Sequence, residues 1–126
     1  MASTSYDKSL VAYKITQWIE GIDDIFQWNE SIRSADDYTS SMEGMKTLAA
    51  TAMLLQAIGE GIKKVDSITN GSLFELRPEI PWRQIKGMRD HIAHGYFEIN
   101  AELVYDVVNK ELMPLKEALS YILNEV

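Results

Sequence analysis

The sequence predicts an all-α protein, an up-and-down bundle of four or five helices. Three observations carry that expectation. Apolar residues recur at spacings of three and four along nearly the whole chain, the period of a helix with one buried face. No stretch alternates apolar and polar residues as a half-buried strand would. Turn and cap residues (Asn70-Gly71, Pro78, Pro81, Gly95, Asn100) stand where such helices would stop or start.

Taken in order, Val11, Ile15, Trp18, Ile22 and Ile25, widened by Ile19 and Phe26, predict an amphipathic helix over residues 7–29. Residues 31–39 are polar, contain Asp36-Asp37 and read as a connector. Ser40-Ser41-Met42-Glu43 fits a capping box, with the Ser40 hydroxyl accepting from the Glu43 amide. A second helix over 41–65 follows, with the stripe Met45, Leu48, Ala52, Leu55, Ile58, Ile62, Val65. Gly59 and Gly61 inside it each cost about 1 kcal/mol relative to alanine, and close backbone packing is the expected compensation. Residues 69–72 end the helix. Pro78 and Pro81 bracket an extended link, and Pro81 opens a third helix over 81–94, with Trp82, Ile85, Met88 and Ile92 on one face and Gly95 as its left-handed cap. Asn100 caps a fourth, striped by Leu103, Val104, Val107 and Val108. A break or kink is expected just before Pro114, with Leu115, Ala118, Leu119 and Ile122 carrying the last segment.

The chain has 126 residues, 46% apolar and 25% charged, the profile of one globular domain able to fold without staples. The absence of cysteine excludes disulfides and thiol chemistry. The longest uncharged run, residues 47–59, is 13 residues, too short to cross a bilayer. Residues 1–5 show neither a basic flank nor an apolar core, so no secretory signal is expected. A soluble cytoplasmic protein is the expectation.

Net charge is −7, which argues against nucleic-acid binding over the whole surface. Residues 77–90 differ, with Arg77, Arg83, Lys86 and Arg89 against Glu79 and Asp90, a local balance of +2. This permits a local anion site on an acidic body. Both histidines, His91 and His94, lie beside it in the string Arg89-Asp90-His91-Ile92-Ala93-His94-Gly95-Tyr96. A guanidinium can hold phosphate oxygens in a fork and an imidazole can move a proton, so these are the ingredients for handling a phosphodiester. Five residues on a helix turn through about 140°, so Arg89 and His94 do not share a face of an ideal helix. Either the helix ends early and swings His94 round, or the Arg89 side chain wraps, or two protomers share the site. Asp90 and His94, four apart, would share a face, and Asp90 could orient the imidazole. The same residues also fit an ordinary helix terminus with a surface ion pair. His91, His94 and Asp90 offer no third strong ligand for zinc, so no metal site is expected. No phosphate-binding glycine loop, serine elbow or dinucleotide fingerprint is present.

The string from Arg89 to Tyr96 resembles the R-x4-H-x-Y signature of HepT-like proteins, a minimal branch of the HEPN superfamily. Ile80-Pro81-Trp82-Arg83-Gln84-Ile85-Lys86-Gly87-Met88-Arg89-Asp90 resembles the family's approach to that motif. Phe97-Glu98-Ile99 with Val104-Tyr105-Asp106-Val107-Val108 resembles its continuation, and Leu55-Gln56-Ala57-Ile58-Gly59-Glu60 an element of its long second helix.

The resemblance implies a single HEPN/HepT-like domain over residues 1–126 that forms a homodimer. It implies a metal-independent, cofactor-free endoribonuclease, the toxin of a type VII pair whose antitoxin is a minimal nucleotidyltransferase. By position, Arg89 would hold the scissile phosphate and His94 would act as general acid–base. Tyr96 would be the target of AMPylation by the partner, Asp90 and His91 would support the site, and Glu60 would contribute to the cleft wall. Chemistry alone leaves His91 and His94 as rivals for the proton; the motif spacing selects His94. RNA would be cut through a 2′,3′-cyclic phosphate, and DNA would not be cut. The alternative is a non-catalytic helical partner subunit that presents the same pocket to a nucleotide or a nucleotidyltransferase.

Overall fold

The structure, a computed structural model, describes residues 6–126. The leader reading, made on residues 1–5, lies outside them. The protein is all-α, with no strand among the described residues and one isolated antiparallel bridge between Ala93 and Ile99.

Helix α1 spans Lys8–Trp28 and is capped by Asp7, whose carboxylate accepts from the Leu10 amide at 3.1 Å. Its apolar stripe, Val11, Ile15, Trp18, Ile22 and Ile25, is buried against two other helices, α3 (Met42–Ile68) and α7 (Leu112–Glu125). The expected connector contains a single helical turn, α2 (Asp36–Thr39). Its Tyr38 is fully buried and donates through its hydroxyl to Asn29 Oδ1 at 2.6 Å. The Asn29 amide in turn donates to Thr51 Oγ1 at 3.0 Å, so one polar chain links α1, α2 and α3.

Helix α3 spans Met42–Ile68. Its cap is Ser41, not Ser40: the Ser41 hydroxyl accepts from the Gly44 amide at 2.9 Å. The shift has a packing reason. Gly44 lies against the carbonyls of Asp37 and Tyr38, where a Cβ would overlap the Asp37 oxygen. The helix ends as residues 69–72 predict. Asn70 has φ 53°, and the Gly71 amide reaches back to the Asp66 carbonyl at 2.9 Å.

The predicted third helix over 81–94 is not continuous. It is two short helices, α4 (Trp82–Lys86) and α5 (Arg89–Ile92), separated at Gly87-Met88. Gly87 closes α4, its amide bonding back to Arg83. Both Ile85 and Met88 must reach the core, and the bend lets them do so against α3. Beyond Ile92 the chain turns extended at Ala93 to pair with Ile99. Gly95, with φ 102° and ψ 176°, therefore reverses a short loop rather than capping a helix in the left-handed region. A 3-10 turn (Tyr96–Glu98) leads to α6 (Ala101–Asp106), capped by Asn100 as expected. Ahead of Pro114 the interruption takes the form of a π turn, Val107–Glu111, where the Leu112 amide bonds to the Val107 carbonyl, and it runs into α7 (Leu112–Glu125). No helix among the described residues is long and apolar enough to cross a membrane.

Candidate active site

The stretch from α4 to α6 packs on one flank of α3, and the groove between them is a cleft of about 520 Å³. Its floor comes from small residues of α3, including Ala49, Ala52 and Ala57. Glu60 stands on the same helix wall; Arg89, the first residue of α5, and Tyr96, from the loop reversed at Gly95, close the other side. The helix break delivers this arrangement. Gly59 accepts the Ile85 carbonyl against its bare Cα, since a Cβ there would stand 2.7 Å from that oxygen. The Lys86 ammonium binds the Asp66 carboxylate at 2.7 Å and ties the end of α4 to α3.

Arg89 is exposed, and among the described residues no carboxylate lies within 4.0 Å of its guanidinium. Arg77 is the contrast. It is held by Glu79 at 2.6 Å and Glu117 at 3.6 Å and sits 5.4 Å from the Tyr121 ring centroid, so it is committed to structure. Arg89 thus keeps its donors free for an anion entering the cleft.

Three of the sequence-predicted residues, Arg89, Glu60 and Tyr96, meet in this cleft. The others do not line it. His94 lies past the end of α5, exposed, with its backbone amide bonded to the Glu98 carbonyl at 3.2 Å. Asp90 is inside α5 and His94 outside it, so the shared helical face expected for them does not exist, and no ion pair joins them among the described residues. His91 points to the opposite side, into a separate cavity of about 440 Å³ bounded by Ile85, Met88, Leu103 and Glu111. No cluster of three or more His, Asp or Glu among the described residues could hold a metal ion.

Two further residues reach the cleft that the sequence reading did not single out, Gln56 and Met53. Gln56 precedes Glu60 by one helical turn, so the i, i+4 spacing was the available signal.

The chain matches the family described as "Ribonuclease HepT-like" over residues 7–122 and belongs to that family. Among similar proteins, "Putative RNase MJ0127" of Methanocaldococcus jannaschii is 30% identical over 95 residues, 70% of this chain and 75% of that protein. "Probable ribonuclease HepT" of Thermococcus cleftensis is 34% identical over 71 residues, 56% of this chain and 61% of the relative. "Putative RNase TTE0752" of Caldanaerobacter subterraneus is 31% identical over 71 residues, 56% of this chain and 60% of the relative. No solved structure shows a significant match to this chain.

Proposed function

We propose that this chain is a metal-independent endoribonuclease whose complete site forms between two copies, and that it is the toxin of a type VII HEPN/minimal-nucleotidyltransferase pair. Residues 1–126 are read as one HepT-like unit. The observation that carries the proposal is the Arg89 cleft, where an uncommitted guanidinium faces Glu60 and Tyr96. Family membership and relatives named as RNases support the reaction class.

The proposed chemistry needs few groups. Arg89 holds the non-bridging phosphate oxygens and stabilises the charge that builds on them. The imidazole of His94 takes the proton of the 2′-hydroxyl as that oxygen attacks phosphorus. The bond to the 5′-oxygen breaks, the leaving oxygen receives a proton, and a 2′,3′-cyclic phosphate remains. DNA lacks the attacking hydroxyl and stays intact. Since His94 does not line the Arg89 cleft of its own chain, a second copy is proposed to bring one in. The exposed ridge of α3 that borders the cleft, with Met53 at 75% exposure beside Ala49 and Ala57, offers an apolar face for that copy. AMPylation of Tyr96 would set a bulky anion in the cleft and silence it by occupancy of Arg89 and by repulsion of RNA.

The test is incubation of RNA with the purified protein in EDTA. Cleavage is expected, with cyclic phosphate ends, and Arg89→Ala and His94→Ala should each lower the rate by about 100-fold or more. Equal rates in parent and variants would overturn the assignment. The position of His94 outside the single-chain cleft also favours the second reading, a non-catalytic partner subunit. Under it RNA stays intact while Arg89→Ala weakens the complex with the nucleotidyltransferase.

A further inference from the structure

Phe97 is 94% exposed, more than any other large apolar residue described. An exposed phenyl ring gains nothing for the fold, so its neighbourhood decides what it could do. It follows Tyr96, itself 56% exposed, and the two rings meet edge to face with centroids 5.2 Å apart. Tyr96 lines the Arg89 cleft, so the pair forms an aromatic step leading out of it. The backbone below is pinned. Ala93 pairs with Ile99, the His94 amide bonds to Glu98 at 3.2 Å, and the Glu98 amide bonds to Gly95 at 3.2 Å. A ring on a fixed loop binds with little ordering cost.

We propose that Phe97 is a stacking platform for an unpaired nucleobase of a single-stranded RNA whose phosphate lies at Arg89. The inference rests on the ribonuclease reading and extends it to substrate recognition. The combination suits a nucleotide: a free π-face for the base and a free guanidinium for the backbone. Its neighbours along the chain, His94, Gly95, Tyr96 and Glu98, are all exposed, and the Tyr96 ring meets its own at 5.2 Å. Stacking reads no base edge, so the platform selects single strands without selecting sequence.

The probe is a short labelled oligonucleotide, 2′-O-methylated at every sugar so that it binds without being cut, beside a matching strand with abasic sites. Affinities are measured by fluorescence anisotropy for the parent, Phe97→Ala, Phe97→Leu and Phe97→Trp. Phe97→Ala should weaken binding of the base-bearing strand by about 5- to 140-fold, leave the abasic strand unchanged, and leave the salt slope unchanged. Phe97→Trp should bind as the parent does, and Phe97→Leu as the alanine variant does. Full affinity of Phe97→Ala, full rescue by leucine, or failure of the parent to bind the probe overturns the proposal. So does a dimer-to-monomer shift of Phe97→Ala in sedimentation, which would make the ring a contact between copies. Failure of the parent to cleave unmodified RNA would contradict the nuclease reading instead, while the binding series still decides the platform.

Discussion

The Cα of Gly59 on α3 lies against the carbonyl oxygen of Ile85 on α4, close enough that a Cβ would stand 2.7 Å from it. The obstacle is backbone, so it cannot rotate away. This contact seats α4 and α5 on α3 and fixes where Arg89 enters the cleft. Gly59→Ala should therefore cost a net of about 1–2 kcal/mol, overpacking strain exceeding the roughly 1 kcal/mol gain in helix propensity. It should also depress RNA cleavage beyond the loss of folded protein. Gly87→Ala is the control: its nearest Cβ contact is Arg83 O at 3.5 Å and its φ is −97°, so stability should stay within about 1 kcal/mol of the parent. Thermal denaturation of both variants checks the pair.

Alkaline pH should report on Tyr38. Burial, and then the nearby Tyr105 phenol, pushes its hydroxyl up to about 12. The folded state thus favours the neutral phenol. Its contribution is complete below the unfolded value of about 10 and is lost as pH rises through the folded value. Tyr38→Phe removes the donor to Asn29 Oδ1 and should cost about 1–3 kcal/mol near neutrality. Its stability should then fall less steeply between about pH 9 and about pH 11 than the parent's. Urea denaturation at the two pH values compares the slopes.

The Lys86–Asp66 pair, 2.7 Å apart and partly shielded, should stabilise the seat of α4. A double-mutant cycle with Lys86→Met and Asp66→Asn should give a coupling of about 1 kcal/mol that shrinks as salt is raised. Zero coupling at low salt would remove the pair from the account.

Much of the fold was legible because burial in helices leaves a period in the sequence. The α1 stripe and the Asn100 cap were read to within a residue, and the compensation for Gly59 and Gly61 was foreseen as close packing. Gly61 does meet another helix, with a Cβ there only 2.7 Å from Trp18 Nε1. Elements of one turn leave no period. Hence α2 read as a connector, although Tyr38 is fully buried. Residues 81–94 kept helical spacing through a bend, because Ile85, Met88 and Ile92 all face the core on either side of Gly87. The Ser-x-x-Glu spacing pointed to Ser40 as the cap, whereas Ser41 caps the helix, beside the close approach of Gly44 to α2 that spacing does not reveal. At the site, Arg89 and Tyr96 were named from the motif and Glu60 from the resemblance of the long second helix, and the three share one cleft. The separation of Asp90 from His94 was hidden, since it depends on Ala93 turning extended to meet Ile99.

Subunit mixing tests the central claim most directly, that Arg89 of one copy works with His94 of another. Arg89→Ala and His94→Ala, each inactive alone, are unfolded together, refolded as mixed dimers and assayed on RNA in EDTA. Random pairing should restore about a quarter of the parent's activity, because half the dimers carry one intact site of two. Mixed dimers as inert as either variant would contradict a site shared between copies.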